Sequence, residues 1–131
     1  MKTAKTIAIA LAATFSVAAS AYAAQASFSL RTLERGEWTL RDKADDFRPV
    51  RKLCVRDPRV LVKLHHPGQR CEIHRLSGDA REVVFGYSCQ SSSGSTAIRR
   101  ETDRLVQIRS QGLDRGAPYA FDYEARKTGS C

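Results

Sequence analysis

Apolar and polar residues alternate along most of the chain's second half, and a two-residue period sends successive side chains to opposite faces of a β-strand. The pattern is clearest near the C-terminus, where Tyr119, Phe121, Tyr123 and Ala125 alternate with Ala120, Asp122, Glu124 and Arg126. Val83, Phe85, Tyr87 and Cys89 oppose Val84, Gly86 and Ser88 in the same way. Thr96 to Thr102 and Leu105 to Gln111 read as two further strands around a tight polar turn at Asp103. Earlier in the chain, Trp38 and Leu40 alternate with Thr39 and Arg41, and Val50 to Val55 follows the polar loop Asp42 to Pro49. Ser91 to Ser95 reads as a flexible connector, Gly112 to Pro118 as a turn, and Ala24 to Leu33 as a loose lead-in. One segment departs from the two-residue period. Asp57-Pro58 has the form of an N-cap with proline at the first helical position, and Val60, Leu61 and Leu64 recur on one face until Pro67-Gly68. The expected product is an all-β dominated domain: an antiparallel meander forming a curled sheet or small half-open barrel, with one short helix over Pro58 to His65.

The N-terminus changes where this domain is expected to work. Lys2 and Lys5 precede a short apolar run that ends in Ala21-Tyr22-Ala23, a charged region, an apolar region and an A-x-A site in order. Cleavage after Ala21 or Ala26 has the same form. The apolar run is about a dozen residues, against roughly 20 for a membrane span. Residues 1–23 are therefore expected to be a signal peptide, and 24–131 a single exported domain, periplasmic or secreted, with no membrane span in its mature form. The formal net charge is +8, or +6 once Lys2 and Lys5 leave with the signal, and draws the protein toward anionic glycans, lipid headgroups and nucleic acid alike. Export removes nucleic acid from that set. The excess of arginine over lysine and the absence of asparagine also fit a GC-rich coding bias, which needs no partner.

Cys54, Cys71, Cys89 and Cys131 make an even count in an oxidising compartment, which points to two disulfides. Three pairings are possible; joining neighbours along the chain, Cys54 to Cys71 and Cys89 to Cys131, is the expected one. Each bridge is worth roughly 3 to 4 kcal/mol through restriction of the unfolded chain. No C-x-x-C pair exists to favour zinc instead.

The order Gly36-Glu37-Trp38, Leu53-Cys54-Val55-Arg56-Asp57-Pro58, Cys71, Tyr87-Ser88-Cys89, Gly94-Ser95-Thr96 and Gly129-Ser130-Cys131 resembles the bacterial exported proteins of the domain of unknown function 3617 family. The similarity extends from Leu33 to the end. It implies a periplasmic, cysteine-containing, β-rich domain and brings no catalytic residues with it.

Candidate chemistry is sparse. His65 and His66 are adjacent, and adjacent helical residues point about 100° apart, so they do not form a natural metal pair; His74 lies beyond Cys71. The serines Ser91, Ser92, Ser93 and Ser95 lack a nucleophile elbow, and Asp45-Asp46 and Glu101-x-Asp103 read as solvated surface. No catalytic residue, metal ligand or cofactor is assigned. Two binding readings remain. Trp38, Phe85, Tyr87, Tyr119, Phe121 and Tyr123 are placed to line an apolar pocket for a small hydrophobic ligand. Arg99, Arg109 and Arg126 fall at outward strand positions and would form an anion-binding stripe if their strands are neighbours. The expected function is a non-enzymatic binding or envelope-interaction module, its partner an anionic envelope component, with a carrier of a small apolar ligand as the alternative.

Overall fold

A computed structural model describes residues 27–131, so the signal-peptide reading lies outside the described residues. Seven strands form one antiparallel sheet: β1 (Gly36–Asp42), β2 (Arg48–Val55), β3 (Cys71–Gly78), β4 (Glu82–Cys89), β5 (Ser92–Thr102), β6 (Leu105–Asp114) and β7 (Ala117–Gly129). Their spatial order is β2-β1-β7-β6-β5-β4-β3. The last five strands are a continuous meander, and β7 returns to β1, so the chain's two ends are hydrogen-bonded neighbours. The sheet does not close into a barrel; β2 and β3 remain as edges.

Alternation decides which face is buried. In register, Val83 faces Ile98, Ile98 faces Ile108, and Val106 faces Ala125, which pairs with Leu40. These residues, with Trp38, make the inner face and are essentially inaccessible to solvent. Trp38 Nε1 donates to the Glu34 carbonyl at 2.9 Å, which removes the cost of burying an indole N–H. Residues 56–70 run from the end of β2 to the start of β3 and lay Leu61, Val62 and Leu64 on that face. Thr96 Oγ1 donates to the Val62 carbonyl at 2.6 Å and fastens this crossing segment to the sheet.

The expected helix shortens to a single 3-10 turn, Pro58–Leu61, with Asp57 as its N-cap accepting from the Arg59 N–H. Two turns of α-helix have little stability of their own, and here Val62, Leu64 and His66 are all buried, a pattern that a wandering chain meets better than a two-turn helix. The serine run is also corrected: Ser92 to Ser95 open β5, paired to both β4 and β6. Gly112 lies inside β6, and the turn to β7 narrows to Arg115-Gly116, both with positive φ as a tight hairpin requires. Nor is the lead-in loose. Phe28, Leu30 and Leu33 are core residues, and the segment is held by the Phe28 N–H on the Asp79 carbonyl (2.7 Å) and the Glu34 N–H on the Asp103 carbonyl (2.9 Å).

Two disulfides are present, but their pairing reverses expectation: Cys54–Cys131 and Cys71–Cys89. Strand order gives the reason. Cys71 and Cys89 are direct partners in the β3–β4 ladder. Glu37 pairs with Cys54 on one side and Gly129 on the other, so the last residues of the chain reach across the start of β1 to Cys54. Pairing by proximity in sequence ignores the return of β7 to β1. The bridges lie at opposite ends of the sheet.

Candidate functional site

At the end of the sheet that carries Cys54–Cys131, four separate segments meet. The lead-in contributes Ser27 to Arg31 and Arg35, the 3-10 turn contributes Asp57 to Arg59, β3 contributes Arg75, and β4 contributes Val83 and Phe85. They enclose an open cleft of about 710 Å³, in the size range of small-molecule sites. Phe28, Leu30, Val83 and Phe85 form an apolar floor continuous with the core. Four arginines, Arg31, Arg35, Arg59 and Arg75, line the cleft with one acidic residue, Asp57.

That carboxylate is already engaged. Arg59 donates from Nε (2.9 Å) and Nη2 (2.6 Å) to Asp57 Oδ2, while its backbone N–H donates to Oδ1 at 3.0 Å. The side-chain hydrogen bonds from Arg59, then its backbone N–H, hold the Asp57 carboxyl below its ordinary pKa, and the Arg35 charge acts in the same direction. Arg75 donates to Ser27 Oγ at 3.4 Å. Among the described residues, Arg31, Arg35 and Arg75 have no ion-pair partner. The chemistry on offer is recognition of an oxyanion by forked, permanently charged donors beside an apolar surface.

The arginines singled out in the sequence lie elsewhere. Arg99, Arg109 and Arg126 share the outer face of β5, β6 and β7, where each stands beside a carboxylate. Arg99 is 3.0 Å from Glu101, Arg109 3.9 Å from Glu82, and Arg126 3.5 Å from Glu124. Arg99 and Arg109 line one polar hollow of about 220 Å³ with Lys43, Glu82 and Asp122; Arg126 lies outside it. The cleft arginines were missed because Arg31 lies in the stretch read as lead-in and Arg59 in that read as helix, while Arg35 and Arg75 fall outside the elements read from the pattern. The only available signal was the recurrence of arginine at positions with no acidic neighbour in sequence, as at Arg31 and Arg75.

All six aromatic candidates lie on the inner face, but they do not line one pocket. Trp38 and Tyr87 are core, Phe85 floors the arginine cleft, and Phe121 and Tyr123 border a groove of about 310 Å³ with Leu40, Val50, Arg51 and Leu64. Along β7 the rings stack on one another: Phe121 on Tyr123 at 4.4 Å, and His65 on Tyr119 at 3.9 Å. Rings engaged in this way cover each other's faces.

Sequence reasoning passed over a buried polar cluster at the opposite end of the inner face. Tyr87, Gly94, Gly112 and Tyr119 form one cross-strand row. The absent side chain at Gly94 makes room for both phenols: a Cβ there would stand 2.5 Å from Tyr87 Oη and 2.9 Å from Tyr119 Oη. His66 covers the row, its Nδ1 3.3 Å from Ser92 Oγ. Burial lowers the His66 pKa, and the neighbouring charge of His65 adds to this while Asp114 opposes it. Burial likewise raises that of Tyr87, the Ser110 hydroxyl acting against it; Ser110 is itself bonded to Thr96 Oγ1 and the Ser95 carbonyl, which leaves Tyr87 Oη without a well-aligned partner. A serine beside a histidine suggests nucleophilic chemistry, but Ser92 is 7% and His66 1% exposed, so the pair is largely shielded from solvent. The cluster is a structural tie between the crossing segment and β5.

The three histidines are not assembled. His65 lies 3.5 Å from Asp114, His66 is buried, and the His74 ring folds over Gly86. Among the described residues, no group of three His, Cys, Asp or Glu side chains is placed to hold a metal ion, and no helix is long and apolar enough to cross a membrane. Asp45 pairs with Arg48, Glu101 with Arg99 and Asp103 with Arg100, which accounts for three of the four acidic residues noted in sequence. No protein-family model, curated protein or solved structure matches the chain.

Proposed function

We propose that the chain is an exported, non-enzymatic binding module that takes anionic ligands of the cell envelope in the cleft of Arg31, Arg35, Arg59 and Arg75. The observation that carries this reading is the imbalance of charge around an open cleft: four guanidinium groups, three of them without an ion-pair partner among the described residues, face one carboxylate that Arg59 already occupies. Low-dielectric walls concentrate such a field on whatever enters. Support for export comes from the two disulfides, which persist in oxidising compartments, and from the signal-like residues 1–23. The resemblance to the domain of unknown function 3617 family fits the same location. The burial of Ser92 and His66 supports a binding role over a hydrolytic one.

Titration calorimetry with sodium sulfate at low ionic strength tests the reading. One saturable site is expected in the native protein, weakened by added chloride and lost in R31Q/R35Q. Equal binding by that variant would move the site out of the cleft. For export, the protein recovered from cells is expected to begin near residue 24 and to lack four hydrogens relative to its reduced mass; recovery of the chain from Met1 in the cytoplasm would overturn that part.

A further inference from the structure

We infer that the ligand of this cleft is an amphiphile, an oxyanion head borne on an apolar chain; this rests on the anion-binding reading above and adds the second half of the ligand. A free inorganic anion needs only the guanidinium groups. It would leave most of a cleft of about 710 Å³ unfilled, with the half-buried Phe85 ring still open to water beside the buried Phe28, Leu30 and Val83.

The floor is built for the purpose by two independent elements. Val83 and Phe85 are inner-face positions of β4, and the neighbouring strand on their far side, β3, is an edge. With no further strand to cover them, Phe28 and Leu30 of the lead-in fold over instead, and the gap left between lead-in and sheet is the cleft. Arg31 and Arg35 follow directly on the same segment, and Arg75 approaches from the edge strand, its guanidinium lying over Gly78. The lead-in thus supplies part of both, the floor being completed by β4 and the cationic rim by β3 and the 3-10 turn. A ligand satisfying both carries one negative head and a tail that displaces water from the floor. The head is held by forked hydrogen bonds, the tail by area removed from water.

Calorimetry of the intact, oxidised protein with sulfate and with n-butyl, n-hexyl and n-octyl sulfate, each below its micelle concentration, tests this. With ~0.8 kcal/mol per buried methylene, affinity is expected to rise about fourfold per carbon until the floor is covered, at one ligand per chain. R31Q/R35Q is expected to lose the whole series. F85Q is expected to flatten the chain-length dependence; should that variant fail to fold, the series on the native protein decides alone. Sulfate binding with an affinity flat across the series would overturn the amphiphile and leave the anion site standing. Octyl glucoside binding as tightly as octyl sulfate would overturn recognition of the head. Failure of sulfate and every alkyl sulfate to bind would remove the anion reading itself.

Discussion

Arginines occur in two settings in this molecule, and the difference lies in their neighbours. On the outer face, Arg99, Arg109 and Arg126 sit in the middle of the sheet, where strand alternation also delivers Glu82, Glu101, Asp122 and Glu124 to the same surface. Exposed pairs of this kind contribute little to stability, about 0 to 1 kcal/mol, but they cancel one another's field. In the cleft, Arg31, Arg35 and Arg75 come from the lead-in and an edge strand, where no ladder brings a carboxylate alongside. Equal numbers of arginines therefore give a surface paired with carboxylates in one place and, in the other, arginines without an ion-pair partner among the described residues. The lesson is that arginine count and even arginine alignment predict little until the register partners are known.

The largest effect that sharpens this contrast concerns the edge. β3 has a neighbour on one side only and is tied to β4 by Cys71–Cys89, whereas β5, β6 and β7 are flanked on both sides. C71S/C89S is expected to lower stability by about 3 kcal/mol, measured by urea denaturation, and to weaken alkyl sulfate binding in the protein that remains folded. The outer-face arginines should be unaffected, and their ion pairs can be followed by NMR. A variant as stable as the native protein would show that the bridge only decorates a ladder already complete without it.

Next in size is the exchange of charge itself. Arg31 and Arg35 are exposed, so R31Q/R35Q should change stability by no more than about 0.5 kcal/mol. Hydrogen bonds to charged groups contribute about 1.5 to 3 kcal/mol each, so loss of the pair should weaken sulfate binding by more than about a hundredfold, which calorimetry reads as loss. R99Q/R126Q, the same number of charges removed from the outer face, should change it less than twofold. The converse breaks the comparison deliberately: E82Q/E101Q/E124Q removes the carboxylates that stand beside Arg99, Arg109 and Arg126, leaving Asp122, and should create weak, salt-sensitive sulfate binding on the outer face. If that triple variant gains nothing, alignment of guanidinium groups is insufficient and the walls of the cleft matter more than its charge.

Much of this architecture was legible in the chain because it depends on local alternation. The inner-face positions of β4 and β7 follow directly from Val83, Phe85 and Tyr87 and from Tyr119 to Ala125, and the meander follows from the short connectors. What depends on distant partners was not legible. Cys131 meets Cys54 only because β7 returns beside β1, and the cleft joins side chains from four segments that share no period. Phe28, Leu30 and Leu33 were read as a loose lead-in because their spacing matches neither a strand nor a helix; among the described residues they pack against the core at this end of the sheet and are buried there. The outer-face arginines were visible as a pattern, but the carboxylates facing Arg109 lie on other strands and appear only in register.

The smallest effect isolates the one carboxylate that the two settings share in kind. Asp57 both caps the 3-10 turn through the Arg59 N–H and neutralises the Arg59 guanidinium. Asparagine keeps the cap and discards the charge, so D57N should fold normally and bind alkyl sulfate about three- to tenfold more tightly, the fourth guanidinium being released to the ligand. The pH dependence carries a definite sign. The Arg59 hydrogen bonds lower the folded pKa of Asp57 beneath that of an ordinary aspartate. The stabilisation is therefore fully present above the unfolded pKa and is lost as pH falls through the lower folded value. Alkyl sulfates stay ionised across that range, so native affinity should approach that of D57N only below the ordinary carboxylate range, and the gap between the two proteins should be constant from pH 5 to pH 8. Coincident affinities at pH 7 would mean that Asp57 does not compete with the ligand for Arg59, and that three arginines alone, those without an ion-pair partner, form the site.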